Sequence, residues 1–329
     1  MTSQGSVSAL TTPVLFLIFC RPETTKQVFG AIRKARPTKL YIAADGPRDR
    51  EGEAERCEAA RKIALAVDWE CEVKTLFRSK NIGLGKGLSS AISWFFEHET
   101  EGIILEDDCL PSPSFFRYCA ELLERYRDDT RIMEIGGNNF EKEDVRDSEY
   151  SYYFSNLVYI WGWATWRRAW KLQDFRMNHY DEISKKNYLN GHYSSIYERH
   201  FFQYVFEKIY REDLKISPKN IWSYQWQFAC KINSGLVIVP NCNLVVNLGI
   251  GKDATNTTGK NGIGSTLVLE DMQFPLRHPG FVMIDTLRAK RDFRGKTSVS
   301  TRMRSNIKRI VPKPVLERIV RPLIHMFSL

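Results

Sequence analysis

The sequence predicts an α/β protein on a mainly parallel central sheet flanked by helices. Two observations carry that expectation. Through the first 140 residues, apolar runs of strand length alternate with helix-length amphipathic stretches, and repeated βα units of this kind build parallel sheets. The first run, VLFLIFC at 14–20, is apolar throughout, as a strand covered on both faces must be.

The elements follow in order. After VLFLIFC, Arg21 and Pro22 open a helical pattern that reaches about Ala35, with proline at a position where its missing N–H costs nothing. LYIAADGP reads as a second strand ending in a turn, and the charged stretch 51–66 as a helix. WECEVKTLF alternates as a third strand, NIGLGKG enters a helix through Phe96, and GIILEDD is a fourth strand. Phe115, Phe116, Cys119, Leu122, Leu123 and Tyr126 recur at helical spacing, with Ser112 and Pro113 at the cap and first position. RIMEIGG supplies one more strand. Ligands of open sheets of this kind sit at the carboxyl ends of the strands. The stretch 141–285 alternates less and is richer in aromatics, with six of the eight tryptophans between Trp161 and Trp226.

Composition narrows the function classes. Hydrophobic residues at 43% and aromatics at 12% allow a sizeable core across 329 residues. No run approaches the roughly 20 apolar residues of a membrane-crossing helix. The N-terminal stretch lacks a basic region before its strand-length apolar run, so no secretory signal is expected. Seven cysteines without a C-x-x-C pair or metal-like spacing fit a reducing cytoplasm. In that setting the sequon Asn256-Thr257-Thr258 is idle. The net charge of +9 is confined to the end of the chain, where eleven basic residues face two acidic ones from Lys290 onward. A neutral body does not suit a nucleic-acid enzyme, and none is expected as a partner.

The stretch GIILEDDCLPSPSFF (102–116) bears the chemistry. Glu106, Asp107 and Asp108 end a buried strand, where like charges about 4 Å apart repel by roughly 4 kcal/mol at an effective dielectric near 20. Adjacent carboxylates there make a hard oxygen set suited to Mg²⁺ or Mn²⁺, and such a cation can neutralise a diphosphate as it leaves. A bare acidic pair is more often a solvated loop, but the buried strand before it and the capped helix after it favour a site. Arg21 and Asp45 hold equivalent strand-end positions and would converge on the same crevice. Asn81 to Gly87 resembles a phosphate-cradling loop, yet it follows neither Walker A nor dinucleotide spacing, and alone it is more often an ordinary tight turn. Trp163, Trp166 and Trp170 fall at helical spacing, which predicts a core-facing helix with one or two tryptophans left for a cleft. The six histidines show no ligand spacing, and nothing resembles a serine or cysteine nucleophile motif.

Taken together, FCRPETTKQVFGAI, LYIAADGPR, NIGLGKG and EDDCLPSPSFFRYCAELLERY resemble the GT-A nucleotide-diphospho-sugar glycosyltransferases. The likeness is to bacterial relatives of N-acetylglucosaminyltransferase I, the hemolytic-protein-like family. It spans about residues 13–285, continuing through WGWATWRRAW and IWSYQWQFACKINSGLVIVPNCNLVVNLGIGKDATNT. The resemblance implies a GT-A-like, Rossmann-like fold in which residues 1–140 form the nucleotide-sugar-binding half. Residues 141–285 would form the acceptor half, and 286–329 a basic amphipathic helical tail. It implies that Asp108 holds Mn²⁺ or Mg²⁺, that Glu106 and Asp107 touch sugar and ribose, and that Asp45 reads a uracil ring. Arg21 and, near the glycine loop, Lys86 would contact the donor. The expected reaction moves a sugar from a UDP-sugar to a hydroxyl of a surface or lipid-linked glycan.

Two positions depart from the family pattern. Relatives carry an aspartate where this chain has Ser223, and a histidine where it has Asn256. An aspartate there would be the general base of an inverting displacement, a role a serine hydroxyl cannot fill near neutral pH. Asp253 is the first substitute, then Glu270 or Asp271; otherwise turnover is impaired and the chain is a glycan- or nucleotide-sugar-binding relative. A sugar-phosphate nucleotidyltransferase is the other alternative, but such enzymes begin with a glycine-rich basic loop at the first strand, and FLIFCRPETT is not one. The tail, with apolar residues at near-helical spacing between Lys and Arg and with Pro312, Pro314 and Pro322 interrupting it, suits either an anionic membrane at the inner face of the plasma membrane or the chain's own catalytic domain.

Overall fold

The computed structural model describes residues 9–141, 149–213, 221–249 and 267–297. Its first half follows the expected alternation: β1 (Val14–Ile18), α1 (Pro22–Ala35), β2 (Lys39–Ala44), α2 (Glu53–Ala64), β3 (Glu72–Phe77), α3 (Leu84–His98), β4 (Glu101–Glu106), then the short β5 (Cys109–Pro111) and α4 (Pro113–Arg125). β6 (Ile132–Gly136), β7 (Tyr152–Ser155), β8 (Trp163–Trp166), β9 (Leu236–Pro240) and β10 (Val245–Asn247) follow. Eight strands form one sheet in the order β3-β2-β1-β4-β8-β6-β9-β7, while β10 pairs with β5 in a separate ladder. Parallel pairing joins β3, β2, β1 and β4, and also β6 and β9. β8 is antiparallel to both β4 and β6, and β7 is antiparallel to β9. Six strands therefore share a direction and two oppose it.

Strand periodicity divides the core between the two faces. Val14, Phe16 and Ile18 pack with α1, α2 and α4 on one side; Leu15 and Leu17 pack with α3 and the helices Ile196–Lys208 and Ser223–Ile232 on the other. α1 buries Thr25, Val28, Phe29 and Ile32 on one stripe, starts at Pro22 and stops where Arg36 turns left-handed at φ 50°.

The tryptophan-rich stretch differs from its predicted helix. Trp163–Trp166 is strand β8, followed by only one helical turn, Arg167–Trp170. Lying between β4 and β6, it completes two ladders of backbone hydrogen bonds, a gain that outweighs the helical spacing of its tryptophans. Trp163 faces one core and Ala164 and Trp166 the other, the period of a strand. Of the basic tail, only the helix Thr286–Lys296 and the residue after it lie within the described residues. No described helix is long and apolar enough to cross a membrane, and all seven cysteines are free.

Candidate functional site

Pairing of β1 with β4 places Leu17 opposite Glu106, so the residues leaving β1 meet the acidic triplet at once. The Phe19 amide donates to Asp107 Oδ2 at 2.9 Å. Arg21 Nη1 donates to Asp108 Oδ2 at 2.5 Å and to Asp107 Oδ1 at 3.4 Å. The Cys109 thiol also donates to Asp108 Oδ1 at 3.4 Å, so one guanidinium, one amide and one thiol meet Asp107 and Asp108 beside Glu106. Burial and the charges of Asp108 and Asp107 push Glu106 up to about 8; burial and Asp108 push Asp107 up to about 7, against the pull of Arg21. Burial opposes the charge on Arg21, but Asp107 and Asp108 hold it above its ordinary value. The corner lies in a cavity of about 540 Å³.

A second wall comes from the ends of β2 and β3. Asp45 accepts from its neighbour Gly46 N at 3.0 Å, from Ile82 N at 3.1 Å and from Gly83 N at 3.2 Å, and Asn81 Nδ2 donates to the Gly46 carbonyl at 2.9 Å. The glycine loop is therefore stitched to the β2 end by the carboxylate expected to read a base. Gly83 sits at φ 89°, ψ 151°, a conformation essentially restricted to glycine. Lys86 is exposed on α3, and the cavity is lined instead by Gly83, Leu84, Gly87 and Leu88 of this segment. Two cations that the sequence reading missed stand there. Arg78, the first residue beyond β3, donates to Ser90 Oγ at 2.9 Å. Arg48 is held by Glu53 through Nε at 2.9 Å and Nη2 at 2.6 Å and lies 5.1 Å from the Phe19 ring centre. Arg78 obeys the strand-end rule that singled out Arg21 and Asp45, whereas Arg48 ends the segment LYIAADGPR without having been singled out.

The third wall is aromatic. Ile160, Trp161, Trp222, Ser223 and Tyr224 line the cavity, while Trp163 and Trp226 are buried behind it and Trp166 lies in the opposite core. Glu134, fully buried on β6, joins the two wall segments: it accepts from Tyr159 N at 2.5 Å and Trp226 Nε1 at 2.6 Å. Ser223 begins the helix Ser223–Ile232 at the cavity edge. Asp253 and Asn256 lie outside the described residues. Glu270 accepts from Asn243 N at 2.8 Å and Asp271 from Ser114 Oγ at 2.7 Å, so both substitutes for the base are engaged in holding loops, away from the cavity lining.

The donor set suits a hard divalent cation. Asp108 stands at the cavity beside Glu106 and Asp107, and the Gly249 backbone approaches so closely that a Cβ there would lie 2.3 Å from Asp108 Oδ2. The β10–β5 ladder imposes that approach, with Leu248 N donating to the Asp108 carbonyl at 2.7 Å. Among the described residues no group of three or more His, Cys, Asp or Glu side chains encloses a metal position. The arrangement fits an open site, in which one or two carboxylates share a cation with ligand phosphates and water.

No protein-family model matches the chain, and no curated protein is similar to it in sequence. Among solved structures it is similar to the mannosyltransferase PcManGT from Pyrobaculum calidifontis in complex with GDP-Man and Mn²⁺, at TM-score 0.33 and 11% identity over 49% of this chain. The match spans less than half, 46%, of that enzyme. It is also similar to HddC from Yersinia pseudotuberculosis, at TM-score 0.29 and 7% identity, over 48% of this chain and 78% of that one. Neither likeness carries an assignment; the α/β class rests on the chain's own strand order and directions.

Proposed function

We propose that the protein is a metal-dependent glycosyltransferase that takes a sugar from a nucleotide-diphosphate donor, a UDP-sugar first among candidates, and passes it to a glycan hydroxyl. The observation behind this reading is the corner in which Glu106, Asp107 and Asp108 leave β4 against Arg21 and the Phe19 amide, inside a cavity with a glycine-loop wall and an aromatic wall. Asp108 would hold Mn²⁺ or Mg²⁺, which would neutralise charge on a departing diphosphate. Arg21 supplies a cation beside the same corner. Arg48 and Arg78 supply two more along the loop wall. Trp161 and Tyr224, which line the cavity, would supply aromatic contact to a sugar ring.

A second reading is favoured by Ser223. Among the described residues the carboxylates lining the cavity are Asp45 and the acidic triplet, and a serine stands where a base is wanted. A binding protein of the same architecture would keep donor affinity and lack turnover. A nucleotidyltransferase is less favoured, because Phe19–Arg21 runs straight into α1 without a glycine-rich loop.

Thermal shift with UDP, GDP, CDP and dTDP, each with and without Mn²⁺, tests the shared core of both readings by linkage. One nucleotide should stabilise the fold with Mn²⁺ and not without it; no metal-dependent shift with any nucleotide overturns the proposal. Donor turnover with glycan acceptors then separates transferase from binding protein.

A further inference from the structure

The structure also displays an apolar strip far along the sheet from the carboxylate corner. Beside the edge strand β7, residues 281–284 alternate between solvent and core. Val282 packs on the core and Ile284 bridges to Phe154, while Phe281 and Met283 point outward, 57% and 67% exposed. The chain then enters the helix Thr286–Lys296, capped by Asp285, whose carboxylate accepts from Arg288 N at 3.0 Å. Arg288, Ala289, Asp292 and Phe293 form its buried face. Arg288 is locked there by Glu141 at 2.8 Å. Leu287, 68% exposed, leads the outward stripe, with Arg291 and Arg294 following at helical spacing. Three large apolar side chains are therefore mostly exposed on one short stretch, with the Phe281 ring edge-on to Tyr150 at 6.4 Å between ring centres.

We propose that Phe281, Met283 and Leu287, with the arginines beside them, dock the protein on an anionic phospholipid surface. Exposed apolar groups gathered in this way mark a contact surface, and charge selects the partner. The described part of this helix carries Lys290, Arg291, Arg294 and Lys296 beyond Leu287, and its acidic Asp292 is buried. A second copy docking through the same strip in a two-fold contact would bring arginines against arginines. An anionic bilayer instead accepts apolar side chains at the headgroup boundary and attracts the cations around them.

The test is flotation of the full chain with phosphatidylcholine vesicles and with vesicles containing about 30 mol% phosphatidylglycerol. The parent should float with the anionic vesicles only, and binding should fall in about 0.5 M salt. Phe281→Ser, Met283→Ser and Leu287→Ser together should lower partitioning about tenfold or more. Met283→Ser alone should lower it measurably and serves if the triple variant misfolds. Nucleotide-induced thermal shifts should be unchanged, since these residues lie outside the cleft. Anionic binding equal in parent and variants overturns the proposal, as does equal parent binding to both vesicle types. A change of oligomeric state in place of vesicle binding also overturns it and assigns the strip to contact between copies.

Discussion

Arg21 can balance only one of the three charges at the end of β4, and that imbalance sets how the corner responds to pH and substitution. Glu106 and Asp107 are pushed up to about 8 and about 7, above the value near 4 of an unfolded carboxylate. The folded state therefore binds more protons between those limits. The stability it gains from them is complete below about pH 4 and is lost as pH rises through about 7 to 8. Denaturant midpoints of the metal-free protein should fall from pH 5 to pH 8, and Glu106→Gln should flatten the slope. Asp108→Asn loses the proposed metal ligand and the pair with Arg21, but relieves repulsion. It should keep the fold and weaken Mn²⁺-dependent nucleotide binding at least a hundredfold by calorimetry. Ser223→Asp should raise transfer by one or more orders of magnitude if a missing base limits turnover; an unchanged rate removes Ser223 from the chemistry. That Arg21, Asp45 and the triplet meet at one cavity is legible because strand ends are readable from apolar runs. Lys86 was not, since its direction depends on the helix that Gly83 opens: Gly87, one residue on, faces Asp45 while Lys86 faces water.

Among the elements, β5 and β10 are three residues each, yet their ladder fixes the cavity side of Asp108. A methyl at Gly249 would overlap the Asp108 carboxylate, so Gly249→Ala should rotate Asp108 away and weaken metal-dependent nucleotide binding about tenfold, with thermal melts close to the parent. Nothing in the sequence joins LVVN to CLP, because pairing between distant three-residue strands leaves no periodic trace. Strands β1 to β4 and β6 and helices α1 to α4 are longer, repetitive and bounded by turns, and they are readable for that reason. β8 was misread because WATW satisfies a helical and a strand pattern alike, and only its two neighbours decide between them.

At the scale of the molecule, the aromatic face contains a charge pair fully out of water. Lys231 Nζ lies 3.0 Å from Glu198 Oε1, with the side chains 1% and 0% exposed. It is also 4.8 Å from the Tyr193 ring centre and donates to the His192 carbonyl at 3.1 Å. Removing one partner strands the other, so Lys231→Met should cost about 3–5 kcal/mol in chemical denaturation. Replacing both with apolar residues should restore most of that loss. Composition announced a large core but could not announce this pair, since neither residue signals burial until the two helices meet. The reversed strand has a consequence for dividing the chain. A polypeptide ending near residue 140 contains β4 and β6 but not β8, the strand that bridges them. Its sheet would be left with an open seam that β8 alone matches in register. Two polypeptides cut there should be insoluble apart and recover nucleotide binding only when synthesised together, as halves of a complementation pair.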